Sequence, residues 1–265
     1  MWIQLVTLLG FGVVLGWSAN LIVRAAIALA HRLGLTSYAV GFILLGILTS
    51  TPEFFVALQS ILAGVPQLSV GNLLGGSILL FSLLLGVSSV FLGKITLIHG
   101  LQFREMLLSG AVIAAPVIIL WDGVLSRVDG ALLVGLYAFH AMFLGNSVRT
   151  PLPIRHVAHR SHPGWHIGQL LGGFVLMVIA SRMMVQSTEV LAGALHIPDF
   201  LLGLFLLSIG TNLPEIALVV AAVTHRCRTV AFADILGSAA ANTLFLGLLG
   251  LVNPFGVETL ENLRF

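Results

Sequence analysis

The sequence predicts an all-α, polytopic membrane protein of about eight transmembrane helices, built as an inverted-topology repeat. Three observations carry this. The 265 residues are 58% hydrophobic and only 8% charged, with a mean hydropathy of +1.09, where a soluble domain carries roughly a quarter charged residues. The apolar residues come in helix-length runs, not in the alternation of barrel strands. A segment that begins at Leu33 is repeated, without a gap, from Leu195.

A span needs ~20 apolar residues to cross ~30 Å of hydrocarbon. The first run, 3–30, has no A-x-A-like cleavage site and reads as a retained helix, stopped by His31 and Arg32. Run 38–63 follows and ends at Gly64, Val65 and Pro66; run 68–92 ends near Lys94. Run 103–120 stops at Trp121, Asp122 and Gly123, and run 124–148 leads into the long stretch 149–164. The last three runs are 167–190, 200–224 and 229–252, separated by Pro198 and Asp199 and by the basic cluster 225–228. Charged residues, Pro and Gly are the expected punctuation. The 29 glycines add an expectation of close helix contacts.

Charge then sets orientation. Loops on one side hold Arg32, Lys94, Arg104, Arg149, Arg155, Arg160, Arg226 and Arg228, against Arg127 and Arg264 on the other. The basic side is cytoplasmic by the positive-inside bias. An even number of spans leaves both termini outside a plasma or inner membrane. A net charge of +2 without a basic block argues against a nucleic-acid partner, and the single cysteine, Cys227, excludes an internal disulfide.

An offset of 162 residues superposes Leu33 on Leu195, Gly41 on Gly203, Thr49 on Thr211, Pro52 on Pro214 and Glu53 on Glu215. It also carries Gly71 to Ala233, Asn72 to Asp234, Gly75 to Gly237 and Gly76 to Ser238. Five spans separate the two starts, so the second copy enters the membrane from the opposite side. In such repeats a site forms near the midplane, from interrupted helices. Pro52 and Pro214 supply the interruptions: each removes an N–H and frees a carbonyl, that of Leu48 or of Gly210.

Ten residues are acidic, and within the spans the clear cases are Glu53, Glu215 and, nearer a helix start, Asp234. A carboxylate at depth is costly and has to be protonated, paired or bound to a cation. Arg24 and Arg182 sit toward span ends, which favours a cation or proton site over a buried salt bridge. Glu53 follows Thr49 and Ser50 by one turn, and Glu215 follows Thr211 and Asn212. Carboxylate, hydroxyl, amide and carbonyl oxygens are what hard cations such as Ca2+ and Na+ prefer. Asn72, Ser77, Asp234, Ser238 and Asn242 offer further oxygens; interhelical hydrogen bonding is the alternative role for these polar groups, and a helix-start role the alternative for Asp234.

The motifs LTSTPE at 48–53, IGTNLPE at 209–215, GNLLGGS at 71–77 and ADILGSAAAN at 233–242 resemble the paired α-repeats of the sodium/calcium exchanger type of the cation/calcium antiporter superfamily. The family pattern is GTSxPE followed by GNxxGSNIFN or GSNIFD. The resemblance implies cation ligation by Thr49, Ser50 and Glu53 in the first repeat, by Thr211, Asn212 and Glu215 in the second, and by Ser238 and Asn242 beyond. This chain departs at Leu48, Gly76 and Leu80 in the first repeat, and at Asn212, Ala239 and Asp234 in the second. The departures fall mainly on one side of the glutamate pair, so a divalent site is expected to survive better than flanking monovalent sites.

The implied function is secondary active antiport of Ca2+ or another divalent cation against Na+ or H+, by alternating access, with no cofactor. The implied organisation is a first repeat over 1–148, a cytoplasmic loop over 149–166, a shortened second repeat over 167–252 and a tail over 253–265. Against the five-plus-five family plan this 5+3 arrangement lacks two terminal helices, and pairing with a second copy or another subunit would cover the exposed face. His156, His159, His162 and His166 mark the loop as basic, with a regulatory metal or pH sensor as the alternative, and His140 reads as a packed span residue. With no G-x-S-x-G or H-E-x-x-H motif, an intramembrane enzyme is not expected. A channel built on the same carboxylates is the closer rival.

Overall fold

The computed structural model describes residues 2–32, 47, 49–92, 103–147, 163–213, 215, 216 and 228–256. Residues 38–46 and Leu48 of the predicted second span, Pro214, Cys227 and the histidines His156, His159 and His162 lie outside the described residues.

The chain forms helices α1 (Trp2–Arg32), α2 (Thr51–Leu62), α3 (Pro66–Leu92) and α4 (Phe103–Ile119). After a short hairpin come α5 (Arg127–Ser147), α6 (Pro163–Leu195), a broken segment of α7 (Asp199–Leu202), a π turn (Gly203–Leu207) and α8 (Ser208–Thr211), and then α9 (Arg228–Val252). Among the described residues, stretches 2–22, 164–195 and 235–252 are each long and apolar enough to cross a membrane. At ~1.5 Å per residue, the 33 residues of α6 reach ~50 Å. This is an integral membrane protein, mostly helical.

The 162-residue offset extends beyond the motifs. Applied to α1 and α3, it lands within two residues of the bounds of α6 and α9. α1 and α6 pack along each other, with Leu8, Leu15 and Ile22 of α1 against Met177, Ala180 and Met184 of α6. Their other faces expose Val6, Val13 and Trp17, and Leu171, Val175 and Ile179, the apolar stripe that lipid solvates. α3 runs between two cores. Leu68 belongs to the α1–α6 cluster, while Val70 and Leu73 join Leu133 of α5 and Phe245, Leu246 and Leu249 of α9.

Two helix starts differ from the sequence reading. Val124 and Leu125 do not begin a helix; they pair antiparallel with Phe255 and Gly256. α5 starts later because Ser126 and Asp129 cap it reciprocally: Asp129 Oδ2 accepts Ser126 N at 2.9 Å and Asp129 N donates to Ser126 Oγ at 3.2 Å. α6 begins at Pro163 and not at 167, because proline suits the first helical turn, whose N–H has no partner to lose. His166 is thereby withdrawn from the loop cluster: it is buried on α6, with Nδ1 3.2 Å from Gln169 Oε1. His140 is buried as well, against Ser109 Oγ at 2.9 Å.

Candidate functional site

The two Pro-Glu elements break in the same way. Ser50 adopts φ −85° and ψ 11°, and Asn212, 162 residues on, adopts φ −89° and ψ 9°. After each break the helix resumes with the same bond: Phe54 N donates to Ser50 O at 3.2 Å, and Ile216 N to Asn212 O at 3.0 Å. Pro52 stands at the start of α2, a position that needs no N–H, and Glu53 lies in the same first turn. The N-terminal end of α2 thus directs its partial positive charge at the region of the carboxylate.

Glu53 is 1% exposed and Glu215 2%. Among the described residues they are the buried members of the Asp, Glu, Lys and Arg set, and Arg24 and Arg182 are exposed. Hydrogen bonds link several of the other predicted residues across the two breaks, α3 and α9. Thr49 is half-buried, with Oγ1 3.0 Å from Ser238 Oγ. Ser50 Oγ donates to Ser238 O at 3.5 Å.

Asn72, fully buried on α3, donates from Nδ2 to Glu53 O at 3.3 Å and accepts at Oδ1 from Thr211 Oγ1, also at 3.3 Å. One side chain therefore ties the first break to the second. Asn212 Nδ2 donates to Ser208 O at 2.9 Å, and Asn242 Nδ2 to Ser77 Oγ at 3.3 Å. The remaining amide oxygens, Asn212 Oδ1 and Asn242 Oδ1, are buried and accept no hydrogen bond among the described residues. Buried acceptors left in this state are sites for a cation or an ordered water. Asp234 belongs to α9, and its side chain lies outside the described residues.

Two participants were not singled out as site residues from the sequence. Ser77 was one oxygen among several there; here its Oγ donates to Leu73 O at 3.0 Å and reaches Ala239 O at 3.3 Å, besides accepting from Asn242. Ser208 orients the Asn212 amide and stands alone in an apolar run, with no signal to mark it. Backbone contact brings these parts together: a Cβ on Gly203 would stand 2.6 Å from Leu68 O and 3.0 Å from Asn72 N. The π turn and α3 approach closely because both Gly203 and Gly71 lack side chains.

The family model described as sodium/calcium exchanger protein matches residues 3–145 and 165–264. The inner membrane protein YrbG of Escherichia coli (strain K12) is 30% identical over 259 residues, covering 94% of this chain and 79% of that protein. The putative antiporter CaxA of Alkalimonas amylolytica is 28% identical over 251 residues, covering 91% and 78%. Among solved structures, the sodium-calcium exchanger NCX_Mj soaked with Na+ and Sr2+ superposes with a TM-score of 0.61 at 23% identity, over 97% of this chain and 85% of that one. The H+/Ca2+ exchanger CAX gives a TM-score of 0.68 at 15% identity, over 97% and 71%. With matched breaks before two buried glutamates and a family model spanning nearly its whole length, the chain belongs to the sodium/calcium exchanger family of membrane proteins.

Proposed function

We propose that this chain is a secondary active cation antiporter, exchanging Ca2+ or another divalent cation for Na+ or H+ at a site built on Glu53 and Glu215. The observation that carries the reading is the pair itself: two carboxylates, each at most 2% exposed, each following the same backbone break. A carboxylate buried in hydrocarbon has to be protonated, paired or bound to a cation. One divalent ion neutralises both. The names of the relatives agree in chemical class, since they include a putative antiporter, a sodium-calcium exchanger and an H+/Ca2+ exchanger.

Thr49, Ser50 and Ser238 form one flank of this site, and Thr211, Asn212 and Asn242 the other. Asn72 spans the two, and Asp234 is its counterpart in the second repeat. The repeats are inverted and related by a pseudo-twofold axis. Ser77 and Ala239, equivalent under the 162-residue offset, touch each other, as equivalent positions do where they lie on such an axis. The organisation is a five-span first repeat over 1–148, a cytoplasmic loop that ends where α6 begins at Pro163, a three-span second repeat that runs to 252 and a tail, in a plasma membrane with the N-terminus outside.

Exchange follows from mutual exclusion. The divalent cation and its counter-ions compete for the same two carboxylates, and the loaded site is exposed to one side at a time while α1 and α6 slide across the core. No step requires a cofactor. The test is Ca2+ uptake into proteoliposomes under an imposed Na+ gradient, then under an H+ gradient. Loading the opposite face with the counter-ion should accelerate tracer uptake. Uptake that only dissipates the Ca2+ gradient, indifferent to what is loaded opposite, would identify a channel and overturn the proposal.

A further inference from the structure

Under the 162-residue offset Ser50 corresponds to Asn212 and Ser238 to Gly76. One flank of the site therefore pairs two serines, and the other pairs an asparagine with a glycine. On the second flank, a Cβ placed on Gly76 would stand 2.9 Å from Asn212 Nδ2 and 3.1 Å from Asn242 Nδ2. Non-bonded contacts of this kind relax at ~3.5 Å or more, so the two amides already fill the volume a side chain at 76 would need.

Hydrogen bonds orient both amides. Ser208 O can only accept, so the group 2.9 Å from it is the Asn212 NH2. Ser77 Oγ has carbonyls to donate to, Leu73 O at 3.0 Å and Ala239 O at 3.3 Å, and it accepts from Asn242 Nδ2 at 3.3 Å. With both nitrogens held beside Gly76, both Oδ1 atoms are fixed as well. Each is buried without a donor among the described residues, Asn212 being 0% and Asn242 2% exposed.

We infer that Gly76 is the positioning residue of the second flank: its missing side chain seats the Asn212 and Asn242 amide nitrogens, which holds both Oδ1 atoms ready as cation ligands. The Asn212 and Gly76 departures from the serine pattern are thus one coupled change, in which a single longer amide does the filling of two serines. The ligand role rests on the antiporter reading above.

The experiment compares wild type, Gly76→Ser, Gly76→Ala, Asn212→Ser and the double variant Gly76→Ser/Asn212→Ser, purified in detergent, by Ca2+ titration and by thermal midpoint without Ca2+. Gly76→Ser should weaken Ca2+ binding by about 10–100-fold, the scale for disturbing groups that orient ligands, with Gly76→Ala in the same direction but smaller. The double variant should recover to within about threefold of wild type, because it rebuilds the serine pair of the other flank. If Gly76→Ser does not yield folded protein, recovery of folded, Ca2+-binding protein in the double variant carries the same result. Wild-type affinity in Gly76→Ser, or a double variant no better than Gly76→Ser, overturns the inference. Failure of the antiporter reading is distinguishable: wild type itself would then bind Ca2+ no better than Glu53→Gln, while the midpoints would still report whether serine at 76 is tolerated only without Asn212.

Discussion

Thr49 Oγ1 stands 3.0 Å from Ser238 Oγ, a hydroxyl pair that joins the break before α2 to the middle of α9. Residues 189 apart in sequence are held together there, so the first flank exists only when both repeats are folded against each other. A neutral hydrogen bond of this kind contributes about 0.5–1.5 kcal/mol net. Thr49→Val and Ser238→Ala should each lower the thermal midpoint in detergent. Combined, they should fall short of the sum by a coupling of about that size. Strict additivity would show that the two hydroxyls do not interact.

Asn72 offers a sharper case, since it donates to Glu53 O and accepts from Thr211 Oγ1. Asn72→Leu keeps the size of the side chain and removes both bridging hydrogen bonds, at about 0.5–1.5 kcal/mol net for each. The expected outcome is a clear drop in thermal midpoint together with loss of Ca2+ uptake. Asn72→Asp retains the acceptor for Thr211 and loses the donor, so it should be intermediate in stability. An uptake rate in Asn72→Leu equal to wild type would remove this residue from the site.

Glu53→Gln and Glu215→Gln test the carboxylates without changing shape. Each should abolish Ca2+ uptake while leaving the protein folded and monodisperse. The accompanying measurement is stabilisation by the ion: at Ca2+ a hundredfold above its dissociation constant, wild type gains about 2.7 kcal/mol through linkage, and the two variants gain none. Equal Ca2+-induced shifts in wild type and variant would rule the glutamates out as the binding groups.

Thr49, Glu53 and Glu215 were legible because the repeat names Thr and Glu twice at one offset. A single buried Glu in an apolar run is ambiguous, but two at one offset, each preceded by a Thr, require one explanation. The same logic marks the limit. Ser208 corresponds to Gly46, so the repeat carries no signal for it, and its role emerges only when its carbonyl is seen to hold the Asn212 amide. Gly76 and Asn212 read as two separate departures, because nothing in a linear pattern says that the space lost by one is taken by the other. Of the fold, the long apolar helices α1, α3 and α9 follow directly from uninterrupted runs. The start of α5 does not, because Val124 and Leu125 are apolar enough to continue a helix, and only the Ser126–Asp129 cap decides where it begins.

Close backbone approach makes the last prediction. A Cβ on Gly203 would come within 2.6 Å of Leu68 O and 3.0 Å of Asn72 N, both on the backbone of α3, where no side chain can swing aside. Gly203→Ala must therefore push the π turn away from α3, at the ~1–3 kcal/mol typical of overpacking. Because Asn72 lies at the point of contact and bridges the two Pro-Glu breaks, Ca2+ uptake should fall along with stability. Gly172→Ala is the control: a Cβ there meets nothing within 4 Å on α6, and alanine is the better helix former by up to ~1 kcal/mol. It should be as active as wild type and at least as stable. If Gly203→Ala behaved the same way, the tight crossing of the π turn over α3 would not be what holds the second flank against Asn72.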